Sequence, residues 1–136
     1  TIETARNALQ QGWLYVIEQE GAICATAILN HVQLPEYQEI DWAYPGEGEQ
    51  IFVIHTLCVP PSRSGQGLAR SFVAFAEDLA AQKGCTAMRL DTYEGNLPAA
   101  SLYTKLGWRY AGSAYFLFQG VIPEVLKCFE KQIISP

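Results

Sequence analysis

The chain has 136 residues, 49% hydrophobic and 17% charged, with a net charge of −5; that suits one domain around one core and is too apolar for a disordered chain. Nine basic residues scattered among fourteen acidic ones argue against a nucleic-acid surface, which needs clustered Lys and Arg, and no run of about 18 apolar residues offers a membrane span. The start, Thr1-Ile2-Glu3-Thr4, has no basic stretch ahead of an apolar one, so no secretory signal is expected and the cytoplasm is the expected compartment.

Residues 2 to about 11 have helical character, and Gly12 ends them. Trp13 to Glu18 reads as a strand, Glu20-Gly21 as its turn and Ala22 to Asn30 as the return strand, because a two-residue polar turn separates two β-type runs. Residues 31 to 49 are polar and carry Pro35, Pro45, Gly46 and Gly48; this is a long loop, and long loops in compact domains usually serve function. Gln50 to Val59 is strongly β-type and is stopped by Pro60-Pro61. A helix follows from about Gly67 to Lys83, with Leu68, Phe72, Phe75, Ala76 and Leu79 at spacings of three and four, and Gly84 closes it. Thr86 to Thr92 is a buried-type strand. Asn96 to Leu106 is a short helix with Pro98 in its first turn and Gly107 after its end. Trp108 to Phe118 and Val125 to Ile134 read as two final strands. The central strand–helix–strand unit predicts a right-handed parallel crossover, and the ends predict antiparallel pairing. The fold class is α/β of the α+β type: a mixed, mostly antiparallel sheet flanked by helices.

The four cysteines, Cys24, Cys58, Cys85 and Cys128, form no CxxC pair, and only His31 and His55 could join them, so no metal site is expected. They read as reduced, buried thiols. The segment from Arg63 to Ala69 is different in kind. It joins a strand to a long helix, and Gly65 and Gly67 allow positive φ and close approach of a ligand to the backbone. The unpaired N–H groups of the first helical turn and the positive end of the helix dipole make an anion site there. A nucleotide P-loop needs Lys and Ser or Thr after its second glycine, and a dinucleotide loop needs a third glycine where Arg70 stands. Both patterns fail, and an ordinary glycine-rich turn stays open on the loop alone.

The loop has company. The strand Ile54 to Val59, the loop, the helix and the segment Asn96-Leu97-Pro98-Ala99-Ala100-Ser101-Leu102-Tyr103-Thr104-Lys105-Leu106-Gly107-Trp108 resemble the GNAT superfamily of N-acetyltransferases. That family carries a strand reading like L-x-V, then [QR]-x-x-G-x-[GA] opening a helix, and later N-x-x-A-x-x-[LF]-Y-x-x-x-G-[FW]. Here the first motif falls on Ser64, Gly65, Gln66, Gly67, Leu68 and Ala69, and the second on Asn96, Ala99, Leu102, Tyr103, Gly107 and Trp108. Together they cover residues 51 to 112, and the flanking hairpin and last strands match the family's order of elements. Tyr37 to Trp42 and Phe129-Glu130-Lys131 resemble a bacterial branch of it. Ser64 stands where the family has Gln or Arg, so backbone amides carry the grip there, with Arg63 the side chain that could replace the missing contact. The resemblance also implies one acetyltransferase domain over residues 1 to 136, short at its N-terminus.

The resemblance implies an acetyl-CoA cosubstrate, no metal, and direct transfer of the acetyl group to a primary amine in a small molecule or peptide. Backbone groups of Leu57, Cys58 and Val59 would hold the pantetheine arm and thioester oxygen. Ser64, Gly65, Gln66, Gly67, Leu68 and Ala69 would hold the pyrophosphate, with Asn96 and Ala99 along the arm. Tyr103 would donate a proton to the leaving sulfur, since a phenol is protonated at neutral pH. Asn96 is equally suited to cap its helix. For the proton acceptor, His55 on the central strand is one candidate, with a satisfied structural histidine the alternative. Glu39 is another, beside Asp41 and Glu94; Glu39 and Asp41 also read as solvated loop residues. A covalent acetyl-Cys58 is not expected, because strand burial opposes a lowered thiol pKa. Rival readings are a non-catalytic acyl-CoA-binding sensor of the same fold, a different acyl donor, and a structural protein. A homodimer through the last strands stays open.

Overall fold

The computed structural model describes residues 9–118 and 122–134. The helix expected over residues 2 to 11 therefore lies mostly outside the described residues; Leu9 and Gln10 are helical and lead into a turn at Gly12. The hairpin follows as β1 (Leu14–Gln19) and β2 (Ala22–Asn30). Glu20 and Gly21 both take positive φ, 51° and 80°, the backbone that a two-residue hairpin turn requires. Next come β3 (Ile51–Cys58), α1 (Leu68–Gln82), β4 (Ala87–Tyr93), α2 (Leu97–Lys105), β5 (Arg109–Phe118) and β6 (Ile122–Gln132). The last strand thus begins three residues earlier than its sequence pattern suggested.

One six-stranded sheet holds them, in the order β1-β2-β3-β4-β6-β5. Only β3 and β4 are parallel, as the intervening helix dictates; every other neighbouring pair is antiparallel. The expected mixed, mostly antiparallel sheet is the observed one. No described helix is long and apolar enough to cross a membrane.

Strand alternation sends side chains to two faces. Phe52, Ile54, Met88 and Leu90 meet Leu68, Phe72, Val73, Ala76 and Ala80 of α1 in the larger core, which also takes Tyr103 and Trp108. Phe75 does not lie in that seam: it is 48% exposed, and Val73 and Ala80 take the central positions instead. Small residues let the helix approach the sheet, and Phe75 lies at the flank against Tyr15, with ring centroids 5.7 Å apart.

Ile51, Val53, Ala87, Ala114 and Cys128 face the other way and are covered by residues 34 to 44. The segment expected as a polar loop is a packed cover. It contains two 3-10 turns, Pro35–Glu39 and Gly48–Gln50, and it buries Tyr37 and Ile40. Its apolar residues are spaced too irregularly to show either a helical or a strand period, which is why the sequence reads as loop.

Candidate active site

Strands β3 and β4 pair only from Ile51 to Ile54 against Ala87 to Leu90. Beyond that point β3 stays with β2, ending at the Thr26–Cys58 pair. β4 stays with β6 through Asp91, Thr92 and Tyr93. The sheet therefore forks at the C-terminal ends of its two parallel strands, the end at which α/β sheets bind ligands. A bulge on β3 opens the fork. The β2 pairing register shifts there, and Thr56 has φ 51°, a left-handed conformation that a β-branched residue holds only under constraint.

The fork is the mouth of a cleft of about 600 Å³. Its walls are Ile54, Thr56 and Leu57 from β3 with Val59 just after it, Asp91, Thr92 and Tyr93 from β4, and Asn96, Ala99, Leu102 and Tyr103 around α2. A second hollow of about 280 Å³ lies over Arg63, Ser64, Gly65, Gly67 and Arg70 at the start of α1. The two share Val59, Ala69 and Leu102, so they form one trench from the glycine loop to the fork.

The loop end of the trench is built from backbone. Pro60 is followed by a 3-10 turn over Pro61–Arg63. Gly65 and Gly67 have φ 80° and 75°, and Gly67 caps α1 in the left-handed conformation. A Cβ at either glycine would meet nothing within 4 Å, so the requirement is conformational and the space above the loop is open. The first amide to bond back into the helix is Ser71, to the Gly67 carbonyl; the preceding amides of Leu68, Ala69 and Arg70 belong to the first turn, which a helix leaves without internal partners and which suits an anion. The Ser64 hydroxyl is turned inward and donates to the Pro61 carbonyl, at 2.9 Å. Arg63 lines the hollow and donates to Gln19. Gln66 is exposed and does not line it.

The fork end carries the titratable groups. Tyr103 lines the cleft, with its ring between Trp108 and Phe129. Burial, reinforced by the Asp91 charge, pushes its phenol up to about 12, so it holds its proton at neutral pH. Asp91 lines the same cleft. Burial holds its carboxyl above the usual carboxylate range, against the opposing pull of the Tyr37 hydroxyl and His55. Tyr37 donates to Asp91 Oδ2 at 2.6 Å.

The other candidates are distributed as follows. Leu57, Val59, Asn96 and Ala99 line the cleft, and the Asn96 side chain also accepts from the Ala99 N–H at 3.2 Å, capping α2. His55 is half-buried and does not line the cleft; its Nε2 donates to Asn30 Oδ1 at 2.8 Å, and burial lowers its pKa. Glu39, Asp41 and Glu94 are exposed and outside the cleft. Cys24, Cys85 and Cys128 are buried as expected, but Cys58 is exposed, because the bulge at Thr56 shifts the alternation of β3. The burial argument against an acetyl-Cys58 does not hold; what stands against it is that its side chain does not line the cleft.

Sequence reading missed Asp91 and Tyr37. A signal existed for the first: a lone carboxylate in the apolar run Ala87-Met88-Arg89-Leu90-Asp91, at the carboxyl end of a strand following a crossover helix. No local signal exists for Tyr37, which reaches Asp91 across 54 residues of chain.

This geometry agrees with what the chain resembles. Residues 3–108 match the Acetyltransferase (GNAT) family, and the chain belongs to that family. Over 71 residues it is 34% identical to a streptothricin acetyltransferase from Escherichia coli, a stretch covering 52% of this chain and 37% of that protein. This chain therefore matches well under half the length of that curated relative. Among solved structures, a GNAT-family acetyltransferase from Streptococcus agalactiae superposes with a TM-score of 0.80 at 20% identity, over 99% of this chain and 73% of that one. The Salmonella typhimurium protein yncA, solved with its cofactor acetyl-CoA, gives 0.70 at 17% identity, over 98% and 72%. At these identities the structural likeness establishes the fold.

Proposed function

We propose that this chain is an N-acetyltransferase that moves an acetyl group from acetyl-CoA to a primary amine by direct attack in a ternary complex. The observation that carries the reading is the trench. It joins an amide-lined anion site to a fork where a buried carboxylate and a proton-bearing phenol share one cleft. The fit to acetyl-CoA is one of chemistry along its length. Free amides of α1, with Arg63 and Arg70 beside them, suit a diphosphate; Ile54, Leu57, Val59 and Leu102 suit an aliphatic arm; and the open space over Gly65 and Gly67 admits close approach.

Acetyl-CoA, when bound, supplies an activated thioester whose C–S bond breaks as the C–N bond forms. Asp91 takes the proton from the acceptor nitrogen. Its raised pKa makes it a stronger base than an ordinary carboxylate. Tyr103 gives its proton to the departing sulfur and is reprotonated from solvent. Backbone N–H and C=O groups beyond the β3–β4 pairing, at Leu57 to Val59, would hold the arm and stabilise the thioester oxygen. His55, neutral and committed to Asn30, and Glu39, exposed outside the cleft, take no part. Free cysteines throughout suit a reducing, cytoplasmic setting.

Streptothricin is the first acceptor to test, because the Escherichia coli relative is named for it; spermidine, lysine and a peptide N-terminus complete a panel of amine classes. Thiol release from acetyl-CoA is expected with at least one of them. Tyr103→Phe is expected to lower turnover at least about tenfold, a loss above about 1.4 kcal/mol, with coenzyme binding retained. Coenzyme binding without thiol release from any amine would favour an acyl-CoA sensor instead. Unchanged turnover in Tyr103→Phe would remove that residue from the chemistry.

A further inference from the structure

We propose that Tyr37 is a positioning residue for Asp91: its hydroxyl, delivered from the cover on the far face of the sheet, fixes one carboxylate oxygen so that the other is presented to the cleft. The inference rests on Asp91 acting as the base. The bond is short, 2.6 Å from the Tyr37 hydroxyl to Asp91 Oδ2, and Tyr37 is 2% exposed. Asp91 Oδ1 has no partner among the described residues, yet it is not among the sealed polar atoms that lack one. Its carboxyl lines the cleft, so Oδ1 is the oxygen free to meet an amine.

Tyr37 can do this because the cover that carries it is held by polar anchors, not by packing alone. The Tyr37 carbonyl accepts from Trp42 Nε1 at 2.8 Å, and the two rings meet edge to face at 5.3 Å. The next two amides, of Ala43 and Tyr44, donate to the two oxygens of Glu130 at 2.8 and 2.9 Å. Glu130 is fully buried on β6 and is also paired with Arg109. Arg89 on β4 donates to Gln33 and to the Tyr44 carbonyl, at 2.6 and 3.2 Å, with its guanidinium 4.2 Å from the Trp42 ring centre. The anchors sit on β4, the strand that carries Asp91, and on β6, the strand paired with it there.

The groups that face Asp91 are Glu36 and Tyr37 from the cover, His55 from β3, Tyr103 from α2 and Cys128 from β6. Of these, Tyr37 is the one that donates a hydrogen bond to it. A donor stabilises the ionised form. Removing the Tyr37 hydroxyl therefore raises the Asp91 pKa further and moves the acid limb of the rate profile to higher pH.

The test compares Tyr37→Phe, Asp91→Asn and wild type in pH profiles of kcat/KM, using acetyl-CoA and the fastest amine of the panel. The same proteins, labelled with carbon-13 at aspartate carboxyls, are titrated by NMR without substrate. In Tyr37→Phe the Asp91 midpoint is expected to move upward. Its kcat/KM is expected to fall about tenfold at neutral pH, as loss of one hydrogen bond to a charged group implies, and to recover as pH rises. Phenylalanine keeps the ring packing, so acetyl-CoA affinity stays within about twofold. A fall in rate with neither the acid limb nor the midpoint displaced would make Tyr37 merely structural and overturn the inference. Wild-type turnover in Asp91→Asn would instead overturn the base assignment, and the carboxyl titration would still decide whether Tyr37 sets the state of Asp91.

Discussion

The two faces of the central sheet are built on different terms. The α1 face is an apolar seam in which Phe52, Ile54, Met88 and Leu90 meet small and aromatic residues of the helix. The opposite face, between the same strands, holds a smaller apolar cluster and three groups that water would otherwise solvate: Arg89, Asp91 and Glu130. Arg89 and Glu130 pin the cover, and Asp91, bonded to Tyr37 of that cover, opens into the cleft. Apolar burial contributes without direction, so the helix face tolerates a displaced Phe75. Buried polar groups are costly unless each finds its partner, so the cover face is where precise placement is achieved. The fork draws on both: its wall is the end of the apolar seam, and the carboxylate we propose as its proton acceptor comes from the polar face.

The largest effect is expected from Asp91→Asn, which keeps shape and removes the proposed base. Turnover should fall by about two to three orders of magnitude, the scale of general-base catalysis, read as thiol release under saturating acetyl-CoA. Stability should move the other way. A carboxyl whose folded pKa is raised by burial makes its ionised form a cost that is absent in acid. That cost develops as pH rises from the unfolded carboxylate range through the folded pKa. At neutral pH the variant should therefore melt no lower than wild type, and wild type should gain on it in acidic buffer. A large loss of stability at neutral pH would mark Asp91 as structural.

Glu130→Ala should destabilise the fold by about 3 kcal/mol, because it strands two cover amides and leaves Arg89 without a nearby carboxylate; urea melts would show it. Gly67→Ala should cost about 1 kcal/mol, from forcing a left-handed φ on alanine with no steric clash to add, and should weaken acetyl-CoA binding measured by calorimetry. Glu39→Ala should change turnover by less than about twofold, since an exposed residue outside the cleft has little to contribute. A large loss there would return the cover's outer surface to the mechanism.

Most of the helix face was legible in the residues. The Glu20-Gly21 turn, the Pro60-Pro61 stop, Gly67 and Gly84 bounding α1, and Asn96 capping α2 are local signals with local causes, and each sits where its chemistry placed it. The conformation of the glycine loop was legible for the same reason, since positive φ at Gly65 and Gly67 and the helix start are local features. The polar face was not. Its contacts join residues 21 to 87 positions apart, and no period or motif announces them. The exposure of Cys58 follows from one bulge at Thr56, a residue whose identity gives no warning of positive φ.

Acetyl-CoA is expected to lie along one trench from the glycine loop to the fork. Backbone amide shifts in an NMR titration with acetyl-CoA test it directly, without knowledge of the acceptor. Saturable shifts are expected at Gly65 to Arg70, at Leu57 to Val59, and at Asp91 and Tyr103. Shifts confined to residues 33 to 47 on the cover face, or no shifts at millimolar coenzyme, would contradict it.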